Sequence, residues 1–236
     1  MISVVTLGLA VTGRLTLYIS PETVWFAAAA AAVTLILAVW SCTLPLGSEG
    51  DHDHTAAASG SDAASVRRRM LQTTGVVTGG VIASGVVLAA LLLPPASLSA
   101  ELAVSRAGET PTLFAGADDI SLGVADTTTF GVGEWSTAFA TSTRPENYDG
   151  APVTLVGFVT PSEGGDVNLT RMVISHCVID AQPASVPVDG AGLDESYDTG
   201  QWIEVAGTVR ADSDGTLRVE PTSVKKVDEP KDPYEY

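Results

Sequence analysis

From Thr23 to Ser48 the chain carries no charged residue, and that run dictates where the segment can reside. Its core, Val24 to Trp40, extends roughly 26 Å as an α-helix, close to the ~30 Å hydrocarbon core of a bilayer. Trp25 and Trp40 stand at opposite ends of it, where indole rings favour the membrane–water interface. A second uncharged run, Met70 to Ala100, contains Leu71–Leu93, long enough to cross with some tilt. A third, Ile2 to Ile19, is interrupted by Arg14. An arginine near a helix end snorkels to the interface, whereas one facing a partner helix has a function there; the sequence accommodates both. Pro21-Glu22 marks a tight turn into the next helix.

These runs explain a conflict in the composition. The 236-residue chain has a formal charge of −16, yet 45% of its residues are hydrophobic and its mean hydropathy is +0.27. Residues 1–100 hold four Arg against five Asp/Glu; residues 101–236 hold eight Lys/Arg against 23 acids. The first part is apolar and nearly neutral, the second polar and acidic. Such segregation excludes a uniform globule, a nucleic-acid binder with a basic footprint and a wholly disordered acidic chain. Cys42 and Cys177 fall one in each part, so there is no disulfide framework.

Arg67-Arg68-Arg69 precedes the second long run and should stay cytoplasmic by the positive-inside rule. The predicted order is two transmembrane helices in 1–46, a flexible cytoplasmic linker over 47–69 and a third transmembrane helix over 70–95. An extracytoplasmic preface with a short helix (96–150), a β-barrel (151–227) and a C-terminal tail (228–236) follow. The N-terminus is then cytoplasmic and the C-terminal domain extracytoplasmic, in a multi-pass cell-membrane protein. Gly75-x-x-x-Gly79 and Gly80-x-x-x-Ser84 on the third helix are small-residue spacings that admit a close partner helix. Asp51-His52-Asp53-His54 reads as a solvated linker, with weak Zn²⁺ binding as the sharper alternative.

In the acidic part, Trp135, Ala138 and Phe139 share one face of a helix predicted over Gly131–Thr141. From Ala151 the period changes to two. Val153–Thr160 is apolar on both faces, as a buried strand requires. Val167–Asp180 is a long strand candidate, and Ala184–Val188, with Pro187, an edge-like one. Trp202–Arg210 and Thr216–Glu220 alternate around an Asp212–Gly215 turn. Five strands with glycines 157 and 207 at bends predict a small OB-like Greek-key barrel. Oligonucleotide binding needs a positive groove, but residues 151–236 hold six Lys/Arg against 15 acids. No nucleic-acid partner is expected.

Several motifs together resemble a known family. Gly157-Phe158-Val159, Arg171 through His176-Cys177-Val-Ile-Asp180-Ala-Gln-Pro183, Trp202–Thr208 and the terminal Pro233-Tyr234-Glu235-Tyr236 are similar to the bacterial YcgQ-type permease subunits. Glu134-Trp135 and Pro145–Gly150 fit the same pattern, which covers residues 130–236 by motif and 1–95 by topology. The resemblance implies N-terminal transmembrane helices, a C-terminal domain of unknown function and a multi-span permease as partner. The family's pattern at the central motif is Cys-Cys-x-x-Asp, with His176 in the first cysteine's place.

That substitution keeps a zinc-ligating residue type, so His176, Cys177 and Asp180 are candidate metal ligands. On a regular strand, however, His176 and Asp180 share a face while Cys177 points the other way. A buried, hydrogen-bonded His176 is the competing expectation, with Asp180 pinning the turn before Pro183 through backbone N–H groups. Ser175-His176-Cys177 are sequential neighbours and cannot form a triad among themselves. The sequence therefore predicts a non-enzymatic accessory subunit of a membrane permease, with the bilayer and the permease as partners and no required cofactor. A metal- or thiol-dependent binding protein centred on His176/Cys177, with a divalent metal, is the alternative.

Overall fold

A computed structural model describes residues 1–43, 74, 78–89, 93, 97–98, 100–106, 126–162, 166–190 and 192–236. The Asp51–His54 cluster, the Arg67–Arg69 triplet, Gly75 and the linker over 47–69 lie outside the described residues. The chain forms two compact units, one of Met1–Thr16 with Pro21–Pro95, the other of Leu17–Ser20 with Ala96–Tyr236.

The first unit is helical. Helix α1 (Ile2–Val11) stops where Thr12 folds its hydroxyl back onto the Gly8 carbonyl and Gly13 takes a φ of 70°. Its ten residues rise about 15 Å, half of a hydrocarbon core, so the apolar run to Ile19 is not one continuous span. Arg14 consequently lies past the helix end rather than inside a helix. Helix α2 (Pro21–Thr43) matches expectation: Pro21–Ser41 is long and apolar enough to cross a membrane. It is the one such helix among the described residues. From the run Met70–Ala100, the described helix is α3 (Thr78–Ala89). Ala83, Val86 and Val87 of α3 line an apolar cleft of about 430 Å³ together with Met1 and with Ile2 and Val5 of α1.

The second unit is built on a closed five-stranded barrel. Its strands are β1 (Pro152–Pro161), β2 (Val167–Val173), β3 (Gln182–Val188), β4 (Trp202–Ala211) and β5 (Leu217–Lys226). Antiparallel ladders join β1 to β2, β2 to β3, β4 to β5 and β1 to β4, and the single parallel bridge Val188–Val219 joins β3 to β5. Strand β1 pairs with β4 along 152–158 and with β2 along 158–161, so it bends across the barrel. Gly157 sits at that bend, where a Cβ would lie 2.7 Å from the Thr170 carbonyl oxygen. Gly207 follows a register shift at Ala206, and a Cβ there would collide with the Glu220 carbonyl and Pro221 Cα.

The two apolar faces of β1 serve two cores. Val153, Leu155 and Val159 point into the barrel with Leu169, Val186, Ile203, Val205 and Val219, all buried. Phe158 faces outward against Met172, Ile174, Ala181, Tyr234 and Ala103 of helix α4 (Ala100–Arg106). Helix α5 (Val132–Thr141) closes one side of the barrel by burying Val132, Trp135 and Ala138, as its spacing predicts. Trp135 meets Phe130, Phe139 and Tyr148 edge-on at centroid distances of 5.3, 6.0 and 5.7 Å. A boundary at 150/151 therefore cuts through a shared core.

Strand β3 is not at an open edge, although its prolines suggest one. The Ser185 N–H points away from β2 and donates to Ser136 Oγ of α5 at 3.2 Å. Pro183 and Pro187, two residues to either side, aim their backbone the same way, into the gap between β3 and β5. Proline leaves no N–H to satisfy there. The C-terminal segment is likewise no free tail: Tyr234–Glu235 form β6, parallel to β2 at Met172 and Val173.

These contacts set an expected outcome. Gly207→Ala should destabilise the barrel by about 2–3 kcal/mol, because backbone rather than a movable side chain fills the space. Gly79→Ala, with nothing within 4 Å of its Cβ position, should leave the barrel's unfolding transition unmoved. Thermal denaturation of the full chain in detergent, followed by near-UV circular dichroism, compares the two.

Candidate functional site

The segment after β2 carries the sequence-predicted residues, and its geometry differs from an extended strand. Asp180 Oδ1 accepts the Ser175 N–H at 3.1 Å, and Oδ2 accepts those of His176 and Cys177 at 2.9 and 3.2 Å. Three backbone donors converging on one carboxylate wind the chain into a 3₁₀ turn over Val178–Asp180 and end β2 at Val173. The strand expected to run to Asp180 stops because a side-chain acceptor outcompetes the ladder for those N–H groups.

His176 is consequently not buried. Its side chain is 85% exposed, with Nδ1 3.3 Å from Asp180 Oδ2. Cys177 is half-buried, and its backbone forms an isolated antiparallel bridge with Ile19. Ser20 N–H donates to the His176 carbonyl and Val178 N–H to the Tyr18 carbonyl, both at 3.0 Å. The turn thus brings His176, Cys177 and Asp180 close in sequence and space, but Asp180 spends its oxygens on backbone donors. Among the described residues no group of three His, Cys, Asp or Glu side chains is arranged to hold a metal ion. Gly79, Gly80 and Ser84 of α3 are exposed, with open space where the glycines would carry a Cβ.

A second constellation lies where β2, β6 and the start of α5 meet. Arg171 is buried on β2, and its Nη2 donates to the Asp232 and Tyr234 carbonyls at 3.1 and 3.0 Å. Its guanidinium carbon lies 5.2 Å from the Trp202 ring centroid, a cation–π distance. Its Nε is 3.9 Å from Glu235 Oε1 and has no hydrogen bond. Glu235 in turn accepts the Val132 N–H at 3.0 Å and the Gly133 N–H at 2.6 Å, at the positive end of the α5 dipole. Gly131 is required beside it, since a Cβ there would lie 2.7 Å from Glu235 Oε1. Glu134 completes the cap by accepting the Gly131 N–H at 2.9 Å.

Burial pushes Glu235 above the usual carboxylate range, against the opposing pull of the two N–H groups and Arg171. Burial also lowers Arg171, opposed by Glu235 and Asp232. The Tyr236 hydroxyl donates to Asp232 Oδ1 at 2.8 Å, and burial with that nearby acid raises its pKa. An open cleft of about 380 Å³ lies over this group, lined by Thr129, Glu134, Arg171, Asp232, Glu235 and Tyr236. Three carboxylates against one guanidinium suit a cationic or hydrogen-bond-donating ligand better than an anion. A further cleft of about 310 Å³ has Phe130, Trp135 and Pro152 among its lining.

Sequence reasoning places Arg171 and Glu235 in motifs but gives them no role. The available signal is a lone arginine within an otherwise uncharged, largely apolar run from Val167 to Ile179, where an unpaired charge is costly. Its partner, 64 residues on in a four-residue terminal motif, leaves no period to detect.

Residues 136–236, which contain most of α5, the whole barrel and β6, match the family model described as the DUF1980 C-terminal domain. This part of the chain is similar to that domain. No curated protein matches the chain. Among solved structures, the OBody AM1L10 bound to hen egg-white lysozyme is similar at 15% identity, covering 36% of this chain and 85% of that one, with a TM-score of 0.25. Asparaginyl-tRNA synthetase from Pyrococcus horikoshii complexed with asparaginyl-adenylate is similar at 22% identity with a TM-score of 0.24. That likeness covers 38% of this chain and 23% of the synthetase. The fold rests on the strand pairing and takes nothing from these two likenesses.

The raised Glu235 has a definite sign. A carboxyl whose folded pKa exceeds its unfolded value favours folding fully below the unfolded value, and that contribution is lost as pH rises through the folded one. Glu235→Gln, which does not titrate, should therefore gain stability relative to the natural chain as pH rises from about 4 to 7. Apparent Tm of both chains across that range reads the effect. A variant that loses ground with rising pH would mean that Arg171 and the two N–H groups outweigh burial.

Proposed function

We propose that this chain is a membrane-anchored, non-enzymatic accessory subunit of a multi-span permease, presenting an acidic OB-type barrel on the outer side of the membrane. The observation that carries the reading is a broad exposed apolar face on α2, opposite the side that packs on α1: Trp25 71%, Phe26 64%, Val33 56%, Ile36 65% and Trp40 63%. A 23-residue apolar helix with that surface needs lipid or other helices around it. The strand order β1-β2-β3-β5-β4, closing through a parallel β3–β5 contact, supports the OB-type assignment. Similarity of residues 136–236 to the DUF1980 C-terminal domain agrees with the resemblance to YcgQ-type subunits.

Connectivity supports this orientation: Leu17–Ser20 belong to the barrel's unit and directly precede α2. The arginine triplet before the run Met70–Ala100 favours the cytoplasm. A hairpin of α2 and that run then keeps the linker inside and the barrel outside. Helix α1, about 15 Å long, enters only one leaflet or lies against its neighbours, in place of the full crossing that would put the N-terminus in the cytoplasm. A metal- or thiol-dependent role at His176 and Cys177 gains nothing from a loop in which Asp180 is committed to backbone donors.

Affinity purification from native membranes in mild detergent tests the reading. One multi-span membrane protein should co-purify in fixed ratio, and Gly79→Leu with Gly80→Leu should reduce its yield roughly fivefold by blocking helix approach. Recovery of the chain without any multi-span partner would refute the assignment.

A further inference from the structure

We propose that the turn Ser175–Asp180 is a membrane-interface loop that sets the barrel against the bilayer, with Ile179 inserting at headgroup level. The proposal rests on α2 being a membrane anchor. Ile179 is an aliphatic side chain at the tip of a loop of an acidic, water-facing domain, and it is 83% exposed. Nothing in the barrel's two cores uses it. Membrane-inserting loops need such a residue held rigidly outward, because ordering a floppy loop on contact costs conformational entropy. The three N–H bonds to Asp180 supply that rigidity, and they also keep the loop's one carboxylate engaged with the backbone.

Connectivity places the loop at the right depth. Its backbone is bridged to Ile19 through the Ser20–His176 and Val178–Tyr18 hydrogen bonds. Ser20 is followed directly by Pro21, the first residue of α2. A segment paired with the last residues before a membrane helix can lie no farther from the bilayer surface than a strand spacing of about 5 Å and a few side-chain lengths. The surroundings suit an interface. Tyr18 on the paired segment is 40% exposed, and Arg106 donates to the Ala181 carbonyl at the loop's C-terminal end. An aliphatic tip flanked by a tyrosine and an arginine is the composition that partitions into the headgroup region. The occupant of this surface is therefore lipid rather than a protein groove. The −15 carried by residues 101–236 does not oppose it, since insertion is local and apolar and needs no anionic headgroups.

The test uses the full chain in phosphatidylcholine nanodiscs, with Cys42→Ser and Cys177→Ser as background. An environment-sensitive dye is attached in turn through Ile179→Cys, Ile36→Cys in the middle of α2, and Ser213→Cys on the exposed, polar β4–β5 turn. Lipids with a shallow spin label should lower the emission at 179 about twofold relative to 213, with a blue shift, and lipids with a deep label should quench 36. Quenching at 36 with positions 179 and 213 behaving alike overturns the loop proposal and leaves the anchor standing. No quenching at 36 overturns the anchor, and the loop proposal with it. Ile179→Trp, read as the difference between its emission and that of the natural chain with its four tryptophans, repeats the measurement should the dye disturb the turn.

Discussion

One ion pair, a buried arginine with a half-buried carboxylate 3.9 Å away, ties the C-terminal domain together. Arg171 on β2 and Glu235 on β6 are 64 residues apart in sequence, and each draws its remaining partners from elsewhere in the domain. Arg171 needs the Asp232 and Tyr234 carbonyls and the face of Trp202; Glu235 needs the Val132 and Gly133 N–H groups. Each set belongs to a different element, so satisfying the pair fixes β2, the C-terminal segment, β4 and α5 at once. Tyr234 then fills the outer core beside Phe158 and Met172, and its hydroxyl accepts the Leu98 N–H at 3.0 Å. Removing one partner would leave an uncompensated buried charge, a cost of about 3–5 kcal/mol. Such a device specifies one arrangement more than it adds net stability, because apolar substitutes for both partners would do the latter as well.

The N-terminal part obeys a simpler constraint. Helix α2 has no polar face: one side packs on α1, and the large apolar side chains from Trp25 to Trp40 on the other are exposed. The segment Leu17–Ser20 directly precedes α2 and is hydrogen-bonded to the turn after β2. Acidity finds its place in the same scheme. An excess of carboxylates on the barrel's part of the chain favours solubility and focuses cations near its surface. The cleft over Arg171, with Glu134, Asp232 and Glu235 around it, has the same bias.

Much of the barrel is legible from alternation alone. The two-faced pattern of Val153–Val159 predicts a strand buried on both sides, and its two faces do serve separate cores. The Asp212–Gly215 turn is also found, with Gly215 at a φ of 86°. Where reading fails, a side chain has taken over a backbone role or a contact is remote. Periodicity carries the second strand to Asp180 because Ile174 and Val178 continue the apolar pattern; only the Asp180 carboxylate, capturing three N–H groups, ends it at Val173. The prolines of β3 suggest an edge because the sequence does not show that α5 covers the gap beside them. Helix α1 is shorter than its apolar run because Thr12-Gly13 is a weak stop signal inside it. Tyr234 and Glu235 lie in a motif too short to show a period, and their partners are far off along the chain.

The most direct test of this account is amide hydrogen exchange on the full chain and on a chain ending at Asp232. If Glu235 and Tyr234 lock the domain, the amides of Val132, Gly133 and Ile174 exchange only through global opening in the full chain. All three, together with the β2 amides, should lose that protection in the truncated chain. Protection that survives truncation at Val132 and Gly133 would show that α5 docks on the barrel unaided, and would contradict the central role of the Arg171–Glu235 pair.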